Sequence, residues 1–254
     1  MCDRDGRPCY GWKGWRQAVE RAPMAARGPW HDLSYPLDAN VPKVPLFPAP
    51  VFEQVMTMPD KPINVTRMEM IVHIGTHLDS PRHFFLDGPA LEDVPLDRFT
   101  GRGIVWRVEG LGDAEPITPA HLGGLGERLA EGDILFLNTG WHHHAGTTRY
   151  DDDHPVLAPE TADWLVARGI KLLGMDTPTP DEALARRRPD FAYPVHRRLL
   201  SNGVLVVEHL TNLDALSGKS VEIVCGPLPI VGGDGSPARI IAREIAEGPR
   251  AEAA

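Results

Sequence analysis

The chain has 254 residues, of which 42% are hydrophobic and 24% charged, as in an ordinary globular protein. This length allows one large domain or two small ones, with a core that needs no disulfide framework. Acidic residues outnumber basic ones by 35 to 26, giving a formal net charge of −9. That balance argues against general nucleic-acid binding, which requires a basic surface. It still permits a small anionic substrate, because a local metal ion or arginine can outweigh the overall field.

The cysteines and the hydrophobic segments bear on location. Cys2, Cys9 and Cys225 form no C-x-x-C pair, so neither a thiolate zinc site nor a redox pair is predicted, and a reducing compartment fits. No stretch approaches about 18 consecutive apolar residues, the length that a membrane span needs. The first residues lack the apolar core of a secretory signal. We therefore predict a cytoplasmic protein that is not attached to a membrane.

Residues 1–29 differ from the remainder of the chain. They contain several glycines and arginines, show no hydrophobic periodicity and end in Gly28-Pro29. We interpret them as an N-terminal extension, either a tail or an arm that packs on a partner subunit, with Met24 as an alternative start. Residues 30–254 are predicted to form the main domain.

The hydrophobic pattern after residue 30 predicts a strand-rich first half and an alternation of helices and strands in the second half. Connections in the first half are too short for β-α-β crossovers, so the pattern indicates a mixed α/β domain. The predicted strands are Val51–Met58, Ile63–Val72, Ile104–Val108, Asp133–Asn138, Ile170–Met175, Val204–Val207, Val221–Val224 and Ala238–Ala242. The predicted helices run from Thr118 through Leu129, from Pro159 to Arg168 before Gly169, and around His196 and Leu200 before Asn202-Gly203.

Four potential metal ligands fall within eleven residues: His73, His77, Asp79 and His83. Imidazole and carboxylate ligands together suit zinc, manganese or iron, and the lack of a thiolate favours a catalytic over a structural site. The segment directly follows an apolar strand, and its spacers are Gly, Thr and Pro. A chance cluster of surface histidines would more often lie in a Lys/Glu-rich stretch. We therefore predict a divalent-metal-dependent hydrolase with this segment at its active centre.

Other motifs carry less weight. His142, His143 and His144 are consecutive, and three consecutive side chains cannot all face one ion in a strand or a helix, so we expect a surface run. The glycine-rich residues 123–126 lie inside the predicted helix and lack the lysine of a phosphate-binding loop. Neither an H-E-x-x-H helix nor a G-x-S-x-G elbow occurs.

The segment from His73 to His83 has the form H-x-G-T-H-x-D-x-P-x-H and resembles the signature of a cyclase family of metal-dependent hydrolases. That family includes bacterial kynurenine formamidase and isatin hydrolase. The resemblance covers most of the chain from His31, and it implies a single three-layer β/β/α domain of the swivelling type. Weaker similarities occur in the expected order at His31–Leu37, Thr139–Trp141, His154–Pro159, Gly174–Pro178 and Ser236–Arg239.

The resemblance also implies a role for each site residue. His73, His77 and Asp79 correspond to the ligands of a first metal ion. Asp79 also corresponds to a bridge to a second ion. The remaining ligands of that ion are implied to be His196 and Glu208, which stand at the family's spacing of twelve residues. His83 corresponds to the family's catalytic acid/base. The implied cofactor is Zn²⁺ or Mn²⁺, at one or two ions per subunit.

The implied reaction is hydrolysis of a C–N amide bond. The substrate would be a small aromatic amide, either a linear aryl formamide such as N-formylkynurenine or a cyclic amide such as isatin, and the adjacent Phe84-Phe85 fits an aryl pocket. We also expect a homo-oligomer, a dimer or a tetramer, with no nucleic-acid partner. Two alternatives stay open: a lyase or cyclase with the same metal centre, and a metal-binding protein without turnover, against which His83 argues.

Overall fold

The computed structural model describes residues 11–17 and 24–246; Cys2 and Cys9 therefore lie outside the described residues, whereas Cys225 is a buried free thiol. The strands are His31–Asp32 (β1), Val51–Met56 (β2), Val65–Glu69 (β3), His77–Asp79 (β4), Thr100–Arg107 (β5), Pro116–Ile117 (β6), Ile134–Asn138 (β7), Val156–Leu157 (β8), Leu172–Met175 (β9), Leu205–Glu208 (β10), Ser220–Pro227 (β11) and Gly235–Glu244 (β12). The α-helices are Leu125–Arg128 (α1), Thr148–Asp152 (α2), Pro159–Arg168 (α3) and Pro194–Ser201 (α4). No helix in the described ranges has the length and apolar character that crossing a membrane requires.

The main sheet closes on itself. In the order β12, β11, β5, β7, β9, β10, β4, each strand pairs with the next, and β4 pairs back with the start of β12. Strands β5, β7, β9 and β10 run parallel, whereas the other pairings of this ring are antiparallel. Strand β1 lies beside the later part of β12. This seven-strand, barrel-like sheet with few helices confirms the mixed α/β class.

The alternation of side chains along the parallel strands separates two hydrophobic cores. In β7, Ile134 and Phe136 belong to the core that includes residues of the antiparallel strands, whereas Leu135 and Leu137 belong to the core that contains residues of α3 and α4. All four side chains are fully buried, which explains why β7 reads as a continuous apolar run. The division into three layers remains a prediction from the family resemblance.

Most predicted elements are confirmed within a few residues, and α3 has the predicted bounds. The predicted helix from Thr118 through Leu129 is wrong. The chain forms a 3-10 turn at Pro119–Leu122 and then the short α1, because Gly124 adopts a left-handed conformation with φ of 81° that interrupts a helix. Strand β5 begins at Thr100, ahead of the predicted start, because residues 100–104 pair with β11.

The described part of the N-terminal extension contacts its own domain. The backbone N–H of Lys13 donates a hydrogen bond at 3.0 Å to the carbonyl oxygen of Ser201, the last residue of α4. The guanidinium of Arg98 lies over the Trp15 ring, 5.0 Å from its centroid. Residues 11–17 therefore lie on the surface beside α4, and the domain boundary near residue 30 stays a prediction.

Strands β2 and β3 form a separate antiparallel hairpin with an exposed apolar surface. Every residue of β2 is exposed, and Phe52 lies directly opposite Met68. A two-stranded hairpin is marginally stable in water by itself. Seven of the fourteen exposed large hydrophobic residues of the described chain lie on this hairpin or its connecting loop: Val51, Phe52, Val55, Met56, Met58, Ile63 and Met68.

Candidate metal centre

The short strand β4 places two of the predicted ligands on one side. His77 and Asp79 are separated by Leu78, which points into the hydrophobic core, so their side chains project from the opposite face. Strand β4 lies between β10 and β12, and His77 stands directly opposite Glu208 in the register with β10. Backbone pairing thus brings together residues that are distant in sequence.

Gly75 makes the turn that carries the chain from His73 into β4. Its φ of +63° is unfavourable for a side-chain-bearing residue, and a Cβ atom there would lie 2.6 Å from Cγ2 of Val41. Gly75 also orients a ligand side chain, because its carbonyl oxygen accepts a hydrogen bond from Nδ1 of His77 at 2.8 Å. The glycine of the motif therefore has both a conformational and an orienting role.

The first group of potential ligand atoms comprises those of His73, His77 and Asp79. Nδ1 of His73 lies 2.9 Å from Oδ1 of Asp79, and Nε2 of His77 lies 3.4 Å from the same oxygen. All three residues are buried, and their donor atoms lie within 4.8 Å of one another, close enough to hold one metal ion.

The second group shares Asp79 with the first. Nε2 of His196 lies 3.4 Å from Oδ2 of Asp79 and 3.0 Å from Oε1 of Glu208. These three donor atoms also lie within 4.8 Å of one another. The two oxygens of Asp79 therefore face two different groups. Glu208 also contacts both groups, because its Oε1 lies near His196 and its Oε2 is 3.3 Å from Nε2 of His77.

Two carboxylates that the sequence analysis did not identify hold the outer nitrogens of the histidines. Oδ2 of Asp234 lies 3.0 Å from Nε2 of His73, and Oδ2 of Asp181 lies 2.6 Å from Nδ1 of His196. Asp181 also accepts the backbone N–H of His196 at 3.0 Å. Histidines that bind metals commonly donate their second N–H to a carboxylate or a carbonyl oxygen, which fixes the ring and its tautomer. No sequence motif marks either aspartate; each becomes visible only through the fold.

The charges of the cluster favour cations. Burial by itself would lower the pKa of His73, but its hydrogen bonds to Asp234 and Asp79 outweigh that effect and raise the pKa to about 9. Burial would raise the pKa of Glu208, but hydrogen bonding to His196 and then the contact with His77 lower it to about 2. The cluster therefore holds ionised carboxylates that need positive charge, from protons or from a metal ion.

His77 provides a direct test of whether a metal ion fits. Its Nδ1 donates to the Gly75 carbonyl, so in the neutral ring Nε2 carries a lone pair. That nitrogen is fully buried and has no hydrogen-bond partner among the described residues, although two carboxylates lie within ion-pair distance. Burial would lower the pKa of His77, but the contacts with Asp79 and Glu208 raise it to about 10, so this nitrogen requires a cation between itself and the carboxylates, either a proton or a metal ion. The residues present thus fit a divalent ion.

His83 lies beside these groups and is more accessible. Its ring is tilted by 31° against that of His73, with centroids 4.0 Å apart, and 29% of its side chain is exposed. Its Nδ1 is 3.4 Å from Oδ2 of Asp234. His73, His83 and Asp234 form a further group of neighbouring donor atoms, so geometry alone permits His83 as a ligand as well as an acid/base.

An aromatic wall borders the centre on the side of His196. The Phe84 ring is stacked on His196 at a centroid distance of 4.9 Å, and Tyr193 lies 5.3 Å from Phe84. Arg197 lies over Phe84 at 5.6 Å from the ring centroid. This surface can contact a planar substrate next to the donor groups.

The sequence is similar to those of known metal-dependent hydrolases. A family model described as Putative cyclase matches residues 31–182. Kynurenine formamidase from Bordetella petrii is 33% identical over 187 residues, which are 74% of this chain and 84% of that protein. The kynurenine formamidase from Bordetella pertussis is 32% identical over 223 residues, covering 85% of this chain and 98% of the other.

The fold is similar to those of solved isatin hydrolase structures. Isatin hydrolase A from Labrenzia aggregata, bound to benzyl benzoate, superimposes with a TM-score of 0.77 at 26% identity, covering 86% of this chain and 94% of that one. Isatin hydrolase A from Ralstonia solanacearum has a TM-score of 0.74 at 23% identity, with coverages of 84% and 91%, and supports the fold.

Proposed function

The chain belongs to the Putative cyclase family of metal-dependent hydrolases, and from this premise we propose that it hydrolyses the C–N bond of a small aromatic amide. The observation that carries the proposal is the pair of buried donor groups that share Asp79, in which the second ring nitrogen of each imidazole contacts an oxygen outside the two groups. Relatives named as kynurenine formamidases and isatin hydrolases support an amide as the bond that is cleaved.

We assign one ion to each donor group. His73, His77 and Asp79 hold the first ion, and Asp79, His196 and Glu208 hold the second. Imidazole and carboxylate ligands without a thiolate suit Zn²⁺ or Mn²⁺. When bound, such an ion supplies Lewis-acid activation of water and of the amide carbonyl. Asp181 and Asp234 hold the rings of His196 and His73 in the orientation that presents their inner nitrogens to the ions.

His83 supplies the proton for the leaving group. Amide hydrolysis requires protonation of the departing nitrogen, and a partly exposed imidazole next to the donor groups can carry out that transfer. Asp234 lies near Nδ1 of His83, which directs the opposite nitrogen away from that carboxylate. Phe84 and Tyr193 form the wall against which the aromatic part of the substrate packs.

The reaction is tested with a panel of aryl formamides and cyclic amides, assayed with added Zn²⁺ or Mn²⁺ in water enriched in ¹⁸O. We expect turnover of at least one class, loss of that activity with a chelator, and one solvent oxygen in the carboxylic product. A lyase reaction would leave the product free of ¹⁸O. A purified protein with no transition metal and an activity that chelators do not affect would contradict the metal-dependent reaction.

We also propose that the protein is a cytoplasmic homo-oligomer, a dimer or a tetramer. Support for oligomerisation comes from the β2–β3 hairpin, whose exposed apolar residues include the cross-strand pair Phe52 and Met68. Contiguous exposed apolar surface marks interaction sites, and symmetric homo-oligomers are the commonest assemblies of soluble proteins. We assign this surface to a second copy of the chain.

Phe52→Glu should dissociate the oligomer, because a charge would enter the apolar contact between hairpins. Sedimentation velocity at micromolar protein concentration measures the change as a shift towards the monomer. Val231→Glu is the matched control: Val231 is 88% exposed and lies outside the hairpin, so its variant should sediment like the wild type. A monomeric wild-type protein at these concentrations would overturn the assignment.

A further inference from the structure

A second group of imidazole and carboxylate side chains lies outside the metal centre, on two 3-10 turns that follow β7 and β10. Nε2 of His143 lies 2.8 Å from Oδ2 of Asp214, and Nε2 of His142 lies 3.6 Å from the same oxygen. The three donor atoms lie within 4.8 Å of one another. His31 lines the same surface pocket, whose volume is about 400 Å³. The proposed hydrolysis uses none of these residues.

His142 is rigidly held from behind. Its side chain is 5% exposed, and its Nδ1 lies 2.8 Å from Oδ2 of the fully buried Asp176. Thr139 fixes that carboxylate by donating its hydroxyl and its backbone N–H to Oδ1, at 2.6 and 3.0 Å. Because a carboxylate oxygen accepts, Nδ1 of His142 donates to Asp176, and Nε2 faces Asp214. This is the carboxylate–histidine arrangement that orients metal-binding imidazoles.

Asp214 is presented to both imidazoles in its ionised form. The side-chain amide of Asn138 donates a hydrogen bond to Oδ1 at 3.0 Å, and Arg107 lies 3.5 Å from the same oxygen. The Asn138 hydrogen bond is the main cause that lowers the pKa of Asp214, so the carboxylate is charged at neutral pH. Oδ2 is left to face His142 and His143.

The third histidine of the run points elsewhere. Nε2 of His144 lies 2.9 Å from a guanidinium nitrogen of Arg149, and its ring packs edge-on against Trp141 with centroids 4.9 Å apart. Three consecutive histidines thus do not converge on one point. Two of them converge with an aspartate from a different turn, which the run by itself could not reveal.

We propose that His142, His143 and Asp214 form a peripheral binding site for a divalent transition-metal ion. Ligand atoms about 2.0–2.1 Å from a tetrahedral zinc ion are separated by roughly 3.3–3.4 Å. The distances of 2.8 and 3.6 Å to Oδ2 of Asp214 bracket this value. Two imidazoles with one carboxylate select ions such as Zn²⁺, Ni²⁺ or Cu²⁺ over Mg²⁺ or Ca²⁺.

The exposure of the site determines how tightly and how reversibly it binds. The side chains of His143 and Asp214 are 61% and 51% exposed, so the ion exchanges with solvent more readily than one in the buried centre. Because the ligands come from two turns, a bound ion cross-links them and stabilises the folded state by mass action.

The experiment is calorimetric titration of the zinc-loaded enzyme with further Zn²⁺. We expect one additional ion per subunit in the wild type. Exchanging a direct ligand should cost more than the 10–100-fold that loss of an orienting residue typically costs, so His143→Ala and Asp214→Asn should each weaken this event by at least about 100-fold. His144→Ala, a change in the same run outside the group, should bind like the wild type.

Folding is controlled independently of binding. Both altered side chains are more than half exposed, so the variants should melt at the wild-type temperature in the presence of a chelator. Zinc should then raise the melting temperature of the wild type and of His144→Ala more than that of His143→Ala. The proposal is overturned if the wild type takes up no additional ion, if His143→Ala binds as the wild type does, or if His144→Ala loses the site equally.

Discussion

The His83→Ala variant should keep its metal and lose about 10²–10⁴-fold in kcat, the range expected when a general acid/base is removed. His83 is 29% exposed and lies outside the two donor groups that share Asp79, so its loss leaves both groups complete. Elemental analysis of the purified variant and a steady-state assay with the best substrate of the amide panel measure the two quantities. His144→Ala, the exchange of a histidine that belongs to none of the donor groups of the described residues, should match the wild type in both.

His77→Ala is the contrasting variant. Its Nε2 is completely buried between Asp79 and Glu208, so the change removes a donor atom from the centre of the cluster. We expect this protein to lose bound metal, activity and thermal stability together, because bound metal favours the folded state. Equal loss of metal from His83→Ala and His77→Ala would show instead that His83, with His73 and Asp234, acts as a ligand.

The sequence by itself predicts the site residues only where they lie close together along the chain. His73, His77 and Asp79 share one short segment, and a strand-and-turn geometry can bring them to one point. The partnership of His196 with Glu208 has no such local signal. The family spacing suggested that pair, and the parallel pairing of β9 with β10 and the antiparallel pairing of β10 with β4 bring Glu208 to His77.

The residues that support the ligands required the fold. Asp181 lies fifteen residues before His196, and no helical or strand periodicity over that interval predicts a contact between them. Nevertheless, its carboxylate accepts hydrogen bonds from both the backbone N–H and the Nδ1–H of His196. Asp234 reaches His73 from the loop before β12. In both cases the aspartate contacts the ring nitrogen that does not face the other ligand side chains. The orientation of each ring is set by tertiary packing, so composition and hydrophobic periodicity do not predict it.

The Glu208→Gln variant should lose about one ion per subunit. Oε1 of Glu208 lies 3.0 Å from Nε2 of His196, within the group that we assign to the second ion. A neutral amide is a much weaker ligand for a divalent ion than a carboxylate is, whereas the two side chains have nearly the same shape. The first group of His73, His77 and Asp79 stays intact, so the first ion should remain.

Activity alone cannot identify the role of Glu208, because loss of a residue that only orients a ligand also costs about 10–100-fold. The deciding measurement is the number of ions per subunit in wild type and variant, each prepared with excess Zn²⁺ and then with excess Mn²⁺. Glu109→Gln, the same exchange at an exposed glutamate, is the matched control and should keep the wild-type count. Equal counts in wild type and Glu208→Gln would refute the two-ion centre. Asp79 would then bind a single ion with His73 and His77, and Glu208 would orient His196 and His77 through their Nε2 atoms.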